Sequence, residues 1–156
     1  MNKLLKLFLS ILLCEGVGIA GSIFTIPSIT SWYSHLNKPS FSPPNLIFGP
    51  VWTTLYLMIG VALYLILEKK LKKEKTTILI VFSIQLLLNF IWSIIFFGLH
   101  LPLVAFIEIA FLWGSIMWLV INVWKFSKPA SLILMPYLFW VSFASILNLT
   151  VAILNP

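Results

Sequence analysis

A chain of 156 residues that is 61% hydrophobic and 9% charged lies outside the range of soluble globular domains, and its length allows roughly five membrane spans of about 20 residues and no soluble domain. The net charge of +6 comes from ten lysines against four glutamates, with no arginine or aspartate; this argues against nucleic-acid recognition, which draws on bidentate arginine contacts, and reads as membrane topology. Cys14 stands alone, which excludes an intramolecular disulfide or a thiolate metal cage.

The first apolar stretch, about 4–26, follows Lys3 and Lys6 and runs past the small residues Gly18-Ile19-Ala20, too far for the apolar core of a removed signal peptide. Gly16-Val17-Gly18-Ile19-Ala20-Gly21 matches the dinucleotide fingerprint only in letters, because no strand precedes it and it lies mid-span. Its small residues, with Cys14, Gly18 and Ser22 on one face, predict a close helix contact. Glu15 near mid-span costs roughly 2.5–3.5 kcal/mol on insertion scales, which the Leu, Ile, Val and Phe residues of the same span outweigh. It is expected to face the bundle in protonated form.

A non-apolar connection, about 27–45, comes next. Pro39, Pro43 and Pro44 exclude a helix there and predict a stiff, aromatic-studded lid. Four further apolar stretches follow at about 46–67, 76–98, 102–124 and 130–155, separated by a lysine cluster over 68–75, a short turn over 98–101 and a second basic connection over 125–129. The fold expected is all-α: a single domain over 1–156 forming an integral membrane bundle of five transmembrane helices. Nine of the ten lysines fall on the side of the N-terminus and only Lys38 on the other, so the positive-inside rule puts the N-terminus and lysine-rich connection in the cytoplasm and loop 27–45 outside.

Few polar residues lie within the spans. Glu108 is about 9 Å from the start of its span at 1.5 Å per residue, near enough to water to be ionised. Gln85, Asn89, Trp92, Ser93 and Phe96 share one helical face, as do Tyr137, Trp140, Ala144 and Asn148. Spacing alone leaves two readings open: polar contacts between helices, or a pocket of flat rings with a few orienting amides.

Several ordered motifs carry a family resemblance: Trp32-Tyr33-x-x-Leu36-x-Lys38-Pro39-x-Phe41-x-Pro43-Pro44-x-x-x-Phe48-x-Pro50-Val51-Trp52-x-x-Leu55-Tyr56, then Gln85-x-x-x-Asn89-x-x-Trp92-Ser93 with Phe96-Phe97, Glu108 with Trp113, and Pro136-Tyr137-x-x-Trp140-x-x-Phe143-Ala144-x-x-x-Asn148. Over about 27–155 the chain resembles the tryptophan-rich sensory protein and translocator protein family, also called peripheral-type benzodiazepine receptors. The resemblance implies five transmembrane helices, a homodimer, and a pocket beneath the first loop that takes porphyrins and benzodiazepine-type drugs, with sterol in animal members. Carried onto this chain, it implies ligand contacts from Trp52, Asn89, Trp140 and Ala144, with Phe48 beside them and the lid around Pro44 above. Lys38 is the one outer cation and is expected to pair with ligand carboxylates. The animal sterol motif is missing after Tyr137, and Val61-x-x-Tyr64 with Lys69 is too permissive a match to replace it.

The function expected is that of a membrane-embedded porphyrin-binding protein acting in tetrapyrrole transport, sensing or stress regulation. The alternatives are a light-dependent porphyrin-degrading enzyme and a lipid- or sterol-binding membrane protein. No catalytic triad, metal ligand set or cofactor motif is expected, since His35 and His100 lie in separate connections.

Overall fold

The computed structural model describes residues 2–70 and 74–156. Lipid offers the backbone no hydrogen bonds, so apolar stretches of spanning length resolve into helices that satisfy their own. Five form: α1 (Lys3–Ser31), α2 (Asn45–Leu67), α3 (Glu74–Ser93), α4 (Pro102–Trp124) and α5 (Lys128–Leu154). Each, α3 together with the wide turn that follows it, is long and apolar enough to cross a membrane, and no strand occurs among the described residues. The helices close a ring in the order α1, α2, α5, α4, α3 and back to α1. Chain direction then sets two ends: a lysine end with Lys6, Glu68 and Lys75, and a loop end with the proline-rich connection and His100. Residues 71–73 of the lysine cluster lie outside the described residues.

Three boundaries differ from the sequence expectation for physical reasons. Helix α1 continues through Pro27 to Ser31; the Trp32 N–H bonds to Ser28 O at 3.0 Å and the Ser31 hydroxyl to Pro27 O at 2.8 Å, so the turn after the proline still satisfies its backbone. The connection expected from residue 27 is therefore shorter, a 3₁₀ turn at Tyr33–His35 followed by an irregular segment to Pro44 with a turn at Ser40-Phe41, where the Ser42 N–H bonds to Pro39 O at 3.0 Å. At the other side of the loop end, α3 passes into a wide π turn over Ile94–Gly98, which carries the consecutive rings of Phe96 and Phe97 both into the interior.

The contact between α1 and α2 is made by missing side chains. A Cβ on Gly60 would lie 2.6 Å from Ile11 Cα, so the two backbones touch there, and a Cβ on Gly18 would lie 2.5 Å from the Tyr56 ring. Cys14 is fully buried on the same face. Ser22, expected in this contact, instead lines a cleft, and Gly21 takes the close approach to α3, with Ser93 Oγ 3.1 Å from where its Cβ would stand. An ion pair between Lys6 and Glu68 joins the lysine ends of α1 and α2. That hydrogen bond holds the Glu68 carboxyl below its ordinary value.

Candidate functional site

Toward the loop end the bundle contains two spaces divided by an aromatic wall. The inner one lies between α2, α3, the π turn, α5 and the 3₁₀ turn; Tyr33, Phe48, Trp52, Phe96, Trp140 and Ala144 are among the residues around it, and its volume is about 20 Å³. The outer one is a cleft of about 330 Å³ between α1 and α2, with α3 as its floor. Phe48, Trp52, Trp92 and Phe97 border both.

The wall is held by ring contacts and by buried polar bonds. Trp92 stacks on Phe96, with centroids 5.1 Å apart, and its indole N–H donates to Asn148 Oδ1 at 3.0 Å; Asn148 Nδ2 in turn donates to Pro102 O at 2.7 Å. Phe48 meets Tyr33 and Trp140 edge to face, and Trp140 tilts against Phe143. The Trp140 indole N–H has no hydrogen-bond partner among the described residues, although it is buried. An unpaired donor beside an aromatic cavity is suited to a ligand acceptor.

Toward the lysine end of the wall runs a chain of hydrogen bonds across three helices. Tyr56 donates to Asn89 Oδ1 at 2.6 Å, Asn89 Nδ2 donates to the Tyr137 hydroxyl at 2.7 Å, and Tyr137 donates to Gln85 Oε1 at 2.9 Å. The two readings of these faces thus divide by residue. Gln85, Asn89 and Tyr137 bind α2, α3 and α5 together, whereas Trp140 and Ala144 face the cavity.

The loop packs against α5 and the residue that follows it. Asn37 and Asn155 exchange bonds, the Asn37 N–H donating to Asn155 Oδ1 at 3.0 Å and Asn155 Nδ2 donating to Asn37 O at 2.9 Å, and Phe41 meets Phe143 edge to face. Lys38 lies over the Tyr33 ring, 4.8 Å from its centroid, and its Nζ donates to Tyr33 O at 3.2 Å. Burial pushes the Tyr33 hydroxyl above its ordinary pKa, partly offset by Ser42. His100, at φ 57°, stacks on Trp32 at 4.3 Å and bonds to Ser28, tying the turn after α3 to α1.

Of the residues singled out for ligand contact, Phe48, Trp52, Trp140 and Ala144 share the inner cavity. Asn89 borders the cleft instead, with its amide engaged by two tyrosines. Pro44 is the exposed residue preceding α2, and Lys38 borders neither space. Both membrane glutamates depart from expectation. Glu108 is buried rather than near water, on the same face as Ala105, Ile109 and Leu112, and neither carboxyl oxygen has a partner among the described residues. Depth along a helix does not determine which way a side chain faces. Glu15 borders the cleft, not the bundle interior. The cleft was not anticipated, though its signal is present: Glu15, Gly18, Ser22 and Thr25 recur at helical spacing and make one face of α1 small and polar.

A profile of the TspO/MBR family matches residues 10–154. The chain belongs to the TspO/MBR family. Its similarity to other proteins agrees with that. It is 49% identical to the tryptophan-rich protein TspO of Chlorobaculum tepidum across the whole of both chains, and 44% identical to that of Archaeoglobus fulgidus over 98% of this chain and 99% of the relative. The human translocator protein is 33% identical over 82% of this chain and 77% of its own length. The chain is thus a TspO/MBR protein with five helices long and apolar enough to span a membrane.

Proposed function

We propose that this TspO/MBR protein binds a flat, porphyrin-type tetrapyrrole in the loop end of the bundle, and acts in tetrapyrrole transport, sensing or stress regulation. The observation that carries the reading is Trp140: its buried indole N–H has no protein partner among the described residues, and the residue borders a cavity lined mostly by aromatic rings, with Ala144, Leu147 and Asn148. Such a wall offers stacking area, and the N–H offers one oriented bond to a ligand acceptor.

The inner cavity alone has room for little more than a water molecule, against the several hundred Å³ of ligand sites in general. The ligand therefore requires the wall to move. Rotation of Trp52 and Phe48, which border both spaces, opens the inner cavity into the cleft and makes room for a macrocycle. Trp52, Phe48, Trp140 and Ala144 then contact the ring, Asn89 holds the floor, and the cap from Lys38 to Pro44 closes above it. The anionic propionates stay at the loop end, where Lys38 is the nearby cation and desolvation costs least. The lysine end is cytoplasmic in this reading, the loop end is outside, and the protein works as a homodimer in lipid.

The test is titration of the purified protein with protoporphyrin, followed by tryptophan quenching in the dark and then under illumination. Saturable dark binding that weakens in Trp140→Phe and Ala144→Leu supports the reading; binding unchanged in both refutes it. Loss of the porphyrin spectrum in light, dependent on Trp52 or Trp140, assigns the photochemical alternative instead. Absence of saturable binding leaves lipid or sterol as the cargo.

A further inference from the structure

The cleft between α1 and α2 holds an acidic group for which the protein supplies no partner. Glu15 lies roughly 18 Å from the lysine end of α1 at 1.5 Å per residue, well inside the spanning segment, and borders the cleft. Among the described residues it makes no hydrogen bond and no ion pair; Lys6, on the same helix, is taken by Glu68. Four of the five hydroxyls around the cleft are committed elsewhere; the fifth, that of Ser93, lies against Gly21, six residues along α1 from Glu15. Ser22 donates to Ile19 O at 2.6 Å, Thr25 to Gly21 O at 3.2 Å, Thr53 to Gly49 O at 3.0 Å, and Tyr56 to Asn89. Nothing else in the cleft donates to the carboxyl group.

The cleft is also open where lipid would lie. Ile19 and Ile26 on one rim are each 66% exposed, and Gly49 on the other has nothing within 4 Å of where a Cβ would stand. Its walls are otherwise apolar and aromatic, with Trp52 and Tyr56 along α2. A volume of about 330 Å³ lies within the range of small-molecule sites.

We propose that this cleft is a membrane-facing binding site for hydrophobic amines, with Glu15 pairing with the protonated nitrogen and the apolar body lying along Ile19, Ile26 and Trp52. The match is one of charge. A carboxylate in a low-dielectric cleft attracts a cation more strongly than it would in water, and the pair is neutral as a whole, so it sits in lipid at lower cost than either ion alone. The faces of Trp52 and Tyr56 add cation–π attraction. A neutral body of the same shape gains only the apolar contact. This inference shares the cleft and Trp52 with the porphyrin reading but rests on Glu15, which that reading does not use, so the Glu15→Gln comparison fails or succeeds independently of porphyrin binding.

The test uses the full chain in nanodiscs of zwitterionic lipid, with empty nanodiscs subtracted. The probes are an aryl-alkyl tertiary amine and its uncharged N-acyl isostere, followed by tryptophan fluorescence. Glu15→Gln is expected to weaken the amine by about tenfold or more while changing the isostere by less than about twofold, and Glu15→Asp, which keeps the charge, to retain discrimination between the two. Gly49→Leu, whose Cβ has nothing within 4 Å and whose side chain would narrow the cleft mouth, is expected to weaken both probes without lowering thermal stability. Equal effects of Glu15→Gln on the two probes overturn the proposal, as does amine affinity unchanged in both Glu15→Gln and Gly49→Leu. A change of oligomeric mass in Gly49→Leu, with no amine binding to the parent, also overturns it and assigns the cleft to a second copy of the chain.

Discussion

The crossing of α1 and α2 is tested by adding one methyl group at each of two glycines. In Gly60→Ala the new Cβ would stand 2.6 Å from Ile11 Cα, 3.1 Å from Ile11 N and 3.1 Å from Ser10 O, all of them backbone atoms. Carbon atoms in contact prefer about 3.5–4.0 Å, so the helices must separate by roughly 1 Å, and no side-chain rotation relieves the overlap. Gly16→Ala adds the same methyl with nothing within 4 Å. Both substitutions gain the same helix propensity, so the difference between them isolates the steric term, about 1–3 kcal/mol for overpacking. For a chain of this length that corresponds to roughly 2–12 °C in melting temperature. The assay is tryptophan-fluorescence melting of both variants and the parent, in one detergent at one scan rate. Gly60→Ala should melt lower than Gly16→Ala by that interval. A difference under about 1 °C would mean that α1 and α2 do not touch through Gly60, and the packing described for Gly18 and Cys14 would fall with it.

Further outcomes follow from the polar contacts. Tyr137→Phe, which removes a donor to Gln85 and an acceptor for Asn89, should destabilise more than Tyr56→Phe, which removes one bond, at about 0.6 kcal/mol per bond on average in lipid; equal melting temperatures would show that the chain of bonds is not formed. Because the Lys6 hydrogen bond depresses Glu68, that contact contributes stability above the ordinary carboxyl value of 4.5 and loses it as pH falls through the lowered value. Hydrogen exchange near Lys6 should therefore rise on acidification below that range, and Glu68→Gln should abolish the rise. Lys38→Gln should weaken a dicarboxylate porphyrin by about 1.4- to 5-fold, the equivalent of 0.2–1 kcal/mol for an exposed pair, and leave its dimethyl ester unchanged; equal effects on the two would remove Lys38 as the anchor.

How much was legible beforehand follows from what each feature depends on. Helix number and type came from apolar length alone, because a bilayer leaves a 20-residue apolar segment no alternative to a helix. The non-helical connection through Pro39, Pro43 and Pro44 was readable because proline restricts its own backbone. The small-residue face of α1 was readable as a contact, since only Gly, Ala, Ser or Cys permits backbones to approach. Which neighbour each small residue meets was not: Gly18 lies under Tyr56, Gly21 against Ser93 and Ser22 on open space, and that depends on the crossing of three helices.

The site divides the same way. Periodicity placed Gln85 and Asn89 on one face, and Tyr137, Trp140 and Ala144 on another, but could not tell a hydrogen-bonded contact from a pocket wall. That choice was made by the ring order, which sets α2, α3 and α5 about Asn89 and spends its amide on two tyrosines while leaving the Trp140 N–H unpaired. The directions of Glu15 and Glu108 were likewise decided by tertiary packing. A glutamate at a given depth has the same sequence signature whether it faces the core, as Glu108 does, or a cleft, as Glu15 does. Sequence by itself determined what the chain must bury from water, because that depends on composition and period; only the packing of the five helices decided which polar groups are left for a ligand, because satisfaction of a buried group depends on its neighbours in space.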